Sequence, residues 1–158
     1  MTYPISIDSI TSDVDFFPEV VSLVEESKTY LEKHQWCTKI KQGWLFTNVG
    51  RVLCIFLFEL ENSQSPEDNL IWLIAGDFPP MYLDTYNVSD TKEVIEVYIE
   101  LANDWIKQVE TNQSLDECFP FEAAPSIVSA EILKKRIVLL QKKFLPEITA
   151  LSYKSVLG

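Results

Sequence analysis

Few residues in this sequence have the types and spacing that catalysis or metal binding requires. A catalytic role for the single histidine, His34, would need a paired nucleophile or a carboxylate that the fold brings close to it, and no local motif supplies such a pair. One histidine without a Cys-x-x-Cys pair also gives no zinc ligand set. We therefore predict no catalytic residue, no metal site, no cofactor and no enzymatic activity.

The three cysteines predict unpaired thiols rather than chemistry. Cys37, Cys54 and Cys118 are odd in number and widely spaced, which is typical of a reducing compartment. Cys54 lies inside an apolar run and is expected to be a core residue. Cys118 follows two acidic residues, whose charge should raise the pKa of its thiol and lower its reactivity.

Four carboxylates at helical spacing are the first candidate for function. They should form one stripe on the solvent side of a helix, where like charges repel by about 0.2 to 0.5 kcal/mol per neighbouring pair. A helix that carries such a stripe loses a little stability, which makes the stripe a candidate docking surface for a basic partner. An ordinary solvated helix face is the commoner explanation of this pattern. The acidic stripe consists of Glu93, Glu96, Glu100 and Asp104.

A second, competing partner surface lies in the segment Gly76–Tyr86. Asp77, Tyr82 and Asp84 are close together there and follow or flank two adjacent prolines. Carboxylates in such a cluster could also serve acid–base or metal-assisted chemistry. A rigid proline turn, capped by an aspartate and packed by tyrosines, explains the same residues equally well.

Two apolar runs predict the centre of the fold. Val52–Leu60 and Leu70–Gly76 are almost continuously apolar, as in strands buried on both faces. The polar loop Asn62–Asn69 should join them as an antiparallel pair, and Trp44–Thr47 predicts a further strand before a short turn. Beyond Gly76 the prolines predict that the chain leaves the sheet and crosses to a helix.

Helical periodicity accompanies these strands in three segments. The loop before the third segment has phenylalanines on both sides of a proline, at 119–121. That pattern predicts a loop pinned to the core or, less commonly, an exposed anchor for another protein. The segments run from Asp15 or Phe16 to about His34, from Ser89-Asp90-Thr91 through Val109, and from Ser126 to Leu145-Pro146.

The elements together predict an α+β fold. A small antiparallel sheet of three or more strands should be packed by an N-terminal helix and two C-terminal helices. The segment Gln35–Gly43 fits either a short edge strand or the end of the first helix. With 158 residues, 47% of them apolar, the chain is expected to form one globular domain over 1–158. Its ends, 1–14 and 150–158, could fray.

The charge is unevenly distributed and favours a basic partner. The net charge is −11, with 7 basic and 22 acidic residues up to Pro125, a balance of −15, and 6 and 2 from Ser126 onward, a balance of +4. An acidic field repels nucleic acid and anionic membranes and attracts basic proteins. Solubility alone is the simpler explanation of an acidic composition. The basic residues of the last helix should pair with the acidic helices of the same chain.

No segment predicts a membrane span or a signal peptide. The longest apolar run is far shorter than the ~20 residues that a bilayer requires. The first residues lack a basic start followed by an apolar core. We therefore expect a cytoplasmic protein.

Two resemblances add to these expectations. The run Trp72–Pro80, followed by Asp104-Trp105-Ile106, resembles a bacterial cytoplasmic domain family of unknown function that shares a Trp, Gly-Asp and Pro core. This likeness covers about Trp36 to Leu145 and implies no catalytic residues. In size, acidity and lack of catalytic motifs, the chain is also similar to immunity proteins of contact-dependent or polymorphic toxin systems in bacteria.

These observations give three hypotheses. An immunity protein would bind a cognate basic toxin domain, such as a nuclease, and block its active site with acidic side chains. A small enzyme would use carboxylates such as Asp77 or Asp84, with or without a divalent metal. A housekeeping adaptor or homodimer would carry an apolar patch on an exposed helix face. The first is the function that we expect.

Overall fold

The fold is a five-stranded antiparallel sheet with helices on both faces. A computed structural model describes residues 2–11 and 18–157. Neighbouring strands in the sheet are also neighbours in the chain, in the order β1-β2-β3-β4-β5. The strands are β1 (Ile5–Ser6), β2 (Cys37–Val49), β3 (Leu53–Asn62), β4 (Leu70–Gly76) and β5 (Phe78–Asp84). The helices are α1 (Pro18–Glu32), α2 (Thr91–Glu110) and α3 (Ile127–Leu139), with a π-helical turn at Leu140–Phe144 and 3-10 turns at Ile7–Ser9 and Tyr153–Val156.

The central strands β3 and β4 are buried on both faces over most of their length, as their continuous apolar runs predicted. Alternate residues of β3 point to opposite sides, because side chains alternate along a strand. Leu53, Ile55 and Leu57 join the core beneath α2 and α3. Cys54 and Phe56 join a second core that contains α1 and the N-terminal segment. The predicted α+β fold, with an antiparallel sheet and three helices, is confirmed.

The segment that contains the two prolines forms β5, so the prediction that the chain leaves the sheet there is wrong. Met81, Tyr82 and Asp84 pair with Ile74, Leu73 and Ile71 of β4. The register shifts between the Met81 pair and the Gly76–Phe78 pair, at the position of the prolines. Since β5 is an edge strand, a proline without an N–H group removes no hydrogen bond from a second neighbour.

The segment before Gly43 is a strand and not the end of a helix. Its residues form the first half of β2, which pairs with β3 through three register shifts. Because β1 pairs only with Trp44 and Leu45, no strand within residues 2–11 and 18–157 covers the outer edge of this half of β2. Lys39 and Lys41 are exposed on it, and such charges discourage pairing with another chain.

The described parts of both chain ends are packed against the core. Ile5, Ile7 and Ile10 are buried in the core beneath α1. At the other end, Ser152 forms a β-bridge with Asp90, and the Thr91 hydroxyl donates to the Thr149 carbonyl over 2.8 Å. The C-terminal segment therefore holds the start of α2.

The predicted ends of the first and third helices can be compared with the structure where their residues are described. The predicted start of the first helix at Asp15 or Phe16 lies outside the described residues, and α1 ends at Glu32, two residues before His34. The third helix agrees with the sequence: it is capped by Ser126 and its π turn ends just before Leu145.

Within residues 2–11 and 18–157, no helix has the length and apolar content needed to cross a membrane.

Candidate functional site

The start of α2 is fixed by an acidic cap that uses one residue of the acidic stripe. The Asp90 carboxylate accepts a hydrogen bond from the Glu93 backbone N–H over 2.9 Å. The Glu93 carboxylate in turn accepts from the Ser89 backbone N–H over 2.8 Å. These bonds satisfy backbone donors that a helix start leaves free. Glu93 therefore has a structural role and is only partly exposed.

The other three carboxylates of the acidic stripe face solvent. The opposite side of α2 is buried in the core, so that Glu96, Glu100 and Asp104 are exposed. At 1.5 Å per residue, Glu96 and Asp104 are about 12 Å apart along the helix axis. The predicted stripe is thus one exposed row of three carboxylates, preceded by the capping residue. The residues on the buried side are Thr91, Val94, Ile95, Tyr98, Ile99, Ala102, Trp105, Ile106 and Val109.

No cation of the described part of the chain forms an ion pair with the acidic stripe. The basic helix α3 packs against α2, and the expected pairing of its basic residues with an acidic helix of the same chain is seen for Lys134, which pairs with the last residue of α2. The Lys134 ammonium lies 2.7 Å from the Glu110 carboxylate, which is outside the stripe. The Arg136 Nε donates to the Asp77 backbone carbonyl over 2.9 Å. The charge of the stripe is therefore left for solvent or a partner.

The three residues of the competing surface are not brought together. Asp77 is exposed at the β4–β5 turn, whereas Asp84 ends β5, and a strand of this length separates them by roughly 20 Å. The Asp84 carboxylate accepts from the Asn87 backbone N–H over 2.8 Å and so stabilises the turn before α2. Only Tyr82 and Asp84 remain candidates for one site.

Tyr82 belongs to an aromatic cluster that the sequence did not reveal. Its ring centroid lies 5.1 Å from that of Trp36, 5.3 Å from that of Phe119 and 4.8 Å from that of His34. Tyr30 completes the cluster at 6.3 Å. Burial raises the pKa of the Tyr82 phenol above its ordinary value. His34 is thus a packed member of the cluster.

An open cavity of about 570 Å³ lies between this aromatic cluster and the β3–β4 loop. We call it the aromatic–acidic cavity. Its walls come from four separate parts of the chain, which is why no local motif predicted it. The phenylalanines flanking a proline were the one signal, since Phe119 lines the cavity. The main lining residues are Trp36, Tyr82, Phe119, Asp68, Asp84 and Asn62.

The cysteine thiols are poor nucleophiles in this structure. Burial raises the pKa of Cys54 to about 12, despite the opposing charge of Arg51. Partial burial, and then the carboxylates of Asp104 and Glu117, raise the pKa of Cys118. At neutral pH, less thiolate is therefore available than at an ordinary cysteine.

The described residues contain no set of ligands for a metal ion. Among positions 2–11 and 18–157, no group of three or more histidine, cysteine, aspartate or glutamate side chains could hold an ion. Carboxylates of the acidic stripe are spread along one helix, and Asp77 and Asp84 are at opposite ends of β5. The arrangement suits the attraction of cationic groups rather than the ligation of one metal.

Comparison with known proteins adds no information about the function of this site. A scan against protein families, a search of characterised proteins and a search of solved structures find no match to this chain. The chemistry of the surface is therefore the basis for the function proposed below.

Proposed function

We propose that this chain is an immunity protein that binds a cognate basic toxin domain and blocks its active site. The observation that carries the proposal is the acidic stripe on α2. Its exposed carboxylates, Glu96, Glu100 and Asp104, have no ion pair within the described residues. The basic helix next to it directs Lys134 and Arg136 to other acceptors.

Electrostatics supports a basic protein as the partner. The chain up to Pro125 has a charge balance of −15, from 7 basic and 22 acidic residues. Such a field attracts a basic domain over distances comparable with the Debye length, about 8 Å at physiological salt, and raises the association rate. A row of carboxylates can occupy a cationic site that normally receives nucleic acid phosphates. A nuclease domain is the toxin class with such a site.

One observation favours a second candidate, the homodimer. Helix α3 exposes apolar side chains on its outer surface: Val128 is 69% exposed, Ile127 55% and Ile132 54%. Large apolar side chains that are grouped on one exposed surface are a common feature of protein interfaces. A mass in sedimentation that rises with concentration to that of a dimer would favour this candidate over the immunity protein.

Reversing the charge of two stripe residues tests the proposal. In the double variant Glu96→Lys/Glu100→Lys, affinity for the toxin domain encoded next to this chain should fall at least about tenfold. Like charges would then face each other across the interface, and the steering field would weaken. Calorimetry or surface plasmon resonance measures the dissociation constant, and toxin activity measures protection.

The double variant Glu32→Lys/Glu147→Lys is the matched control. It changes the net charge by the same amount at two exposed positions outside the stripe. We expect a loss smaller than about threefold, because distant charges are screened by salt. Equal losses in both variants would mean that only total charge matters, and unchanged binding in the stripe variant would contradict the proposed surface.

A further inference from the structure

The aromatic–acidic cavity combines two kinds of wall. Trp36, Tyr82 and Phe119 form a continuous aromatic side, with centroid distances of 5.1 Å and 5.3 Å between successive rings. Asp68 and Asp84 are on the acidic side of the same cavity. The rings come from the α1–β2 connection, the edge strand β5 and the loop before α3. These elements are held by the core, so the site exists without a ligand.

The acidic side has no cation of its own in the described part of the chain. Asp84 accepts from the Asn87 backbone and side-chain nitrogens, which carry no net charge. Asp68 forms hydrogen bonds through its backbone N–H and carbonyl, to Ser65 and Asn62. No lysine or arginine is among the residues that line the cavity. Both aspartates therefore line a space that is also lined by aromatic rings but by no lysine or arginine.

One side-chain chemistry fits both walls. A guanidinium group is planar and positively charged, stacks on aromatic rings and binds carboxylates through paired N–H donors. We propose that the aromatic–acidic cavity receives an arginine side chain of a basic protein partner. The proposal rests on the proposed function for the identity of that partner, and it adds the residue that anchors it. An arginine buried among aromatic residues is a frequent centre of binding energy in protein interfaces.

The loop before α3 links the cavity with the neighbourhood of Asp104, the last residue of the acidic stripe. The loop that carries Phe119 also carries Glu117 and Cys118. Asp104, at the end of the stripe, and Glu117 both act on the Cys118 thiol, one residue from Phe119. The stripe would attract the partner and the cavity would hold one of its arginines.

Binding of a single arginine derivative tests the cavity without any partner. N-acetyl-arginine amide is added to the full chain, and tryptophan fluorescence and backbone NMR shifts are recorded. N-acetyl-citrulline amide, which has the same shape and no charge, is the matched control. We expect saturable binding of the arginine derivative and at least about tenfold weaker binding of the citrulline derivative.

Three variants locate that binding. Asp68→Asn/Asp84→Asn should weaken binding of the arginine derivative at least tenfold, and Trp36→Phe should remove most of the fluorescence change. An asparagine at 84 keeps an oxygen that can accept from Asn87, and melting temperatures check that the variants fold. Equal binding of the two derivatives, or wild-type binding by the double asparagine variant, would overturn the proposal.

The same variants separate this inference from the proposed function. If the toxin domain binds the wild type and the double asparagine variant equally well, the cavity is not its anchor, although the immunity function stands. If the arginine derivative binds in the cavity but no basic toxin domain binds the chain, the cavity is an arginine site and the proposed immunity function is wrong. If the toxin domain binds the wild type and loses at least tenfold in affinity for Asp68→Asn/Asp84→Asn, both the arginine site and the immunity function are supported.

Discussion

Replacing Trp72 by alanine is expected to lower the free energy of unfolding by about 4 kcal/mol. The side chain is completely buried in the centre of β4, and its ring meets that of Phe46 edge to face at 4.9 Å. Its Nε1 donates to the Val88 carbonyl over 2.8 Å, just before α2 begins. The substitution would leave a cavity and a buried carbonyl without its donor. It would also release the connection that places the acidic stripe.

Urea unfolding followed by circular dichroism measures this loss. Trp72→Phe separates the two contributions, because it keeps much of the ring volume but not the donor, and about 2 kcal/mol is expected. Trp36→Phe is the control at a partly exposed position, with a loss below about 1 kcal/mol. A Trp72→Ala loss as small as that of the control would contradict the assigned core position.

The second large effect is expected at Gly76, where alanine should cost about 3 kcal/mol. The residue has φ +154°, and a Cβ there would lie 2.0 Å from the Val52 carbonyl oxygen. That oxygen accepts from the Asp77 backbone N–H over 3.1 Å, so the β4–β5 turn passes close to the start of β3. A side chain would push these two backbone segments apart, and urea unfolding measures the result.

Gly50→Ala is the matched control for the clash. Gly50 also has a positive φ, +52°, but nothing lies within 4 Å of a Cβ built there. Only conformational strain of about 1 kcal/mol is therefore expected. If the two alanine variants lose the same stability, backbone conformation rather than close approach decides the effect at Gly76.

The strands that could be predicted from sequence are those buried on both faces. From Leu53 to Phe58 in β3 and from Leu70 to Ala75 in β4, every residue is apolar and each side chain enters one of the two cores. The second helix was equally clear, since the predicted segment from Ser89-Asp90-Thr91 through Val109 agrees with α2 to within a residue or two. These elements carry their signal within a few consecutive residues.

The edges of the sheet could not be predicted, because their pairing depends on a distant neighbour. Two prolines normally exclude a strand, yet β5 accepts them at an edge with a register shift. The two-residue strand β1 has no periodicity to detect, and its pairing is with Trp44 and Leu45 far along the chain. Tertiary contacts decided both cases.

The candidate site was predictable only in part, because one portion lies within a single helix and the other joins distant residues. The acidic stripe lies within one helix, so spacing alone indicated it, although spacing did not show that Glu93 caps the helix. The aromatic–acidic cavity joins Trp36, Tyr82 and Phe119, which are far apart in sequence. Nothing local distinguishes such residues from ordinary packed aromatics.

The short motif at the centre of the chain has structural roles in this fold. Trp72 fills the core and Gly76 allows the close turn, as argued above. The Pro79 carbonyl accepts from the Tyr98 hydroxyl over 2.7 Å, and the Asp77 carbonyl accepts from Arg136. A motif of this kind would be retained to hold β4, β5, α2 and α3 together. The resemblance to the bacterial domain family stays a prediction.

The association rate constant with the cognate basic toxin domain that we propose as the partner, measured by stopped flow across a range of salt concentrations, tests the central claim most directly. The account predicts a rate that falls at least about tenfold between low and high salt, and a much weaker dependence in Glu96→Lys/Glu100→Lys. A rate that does not depend on salt, or the same dependence in both proteins, would contradict the claim that the stripe attracts a basic partner.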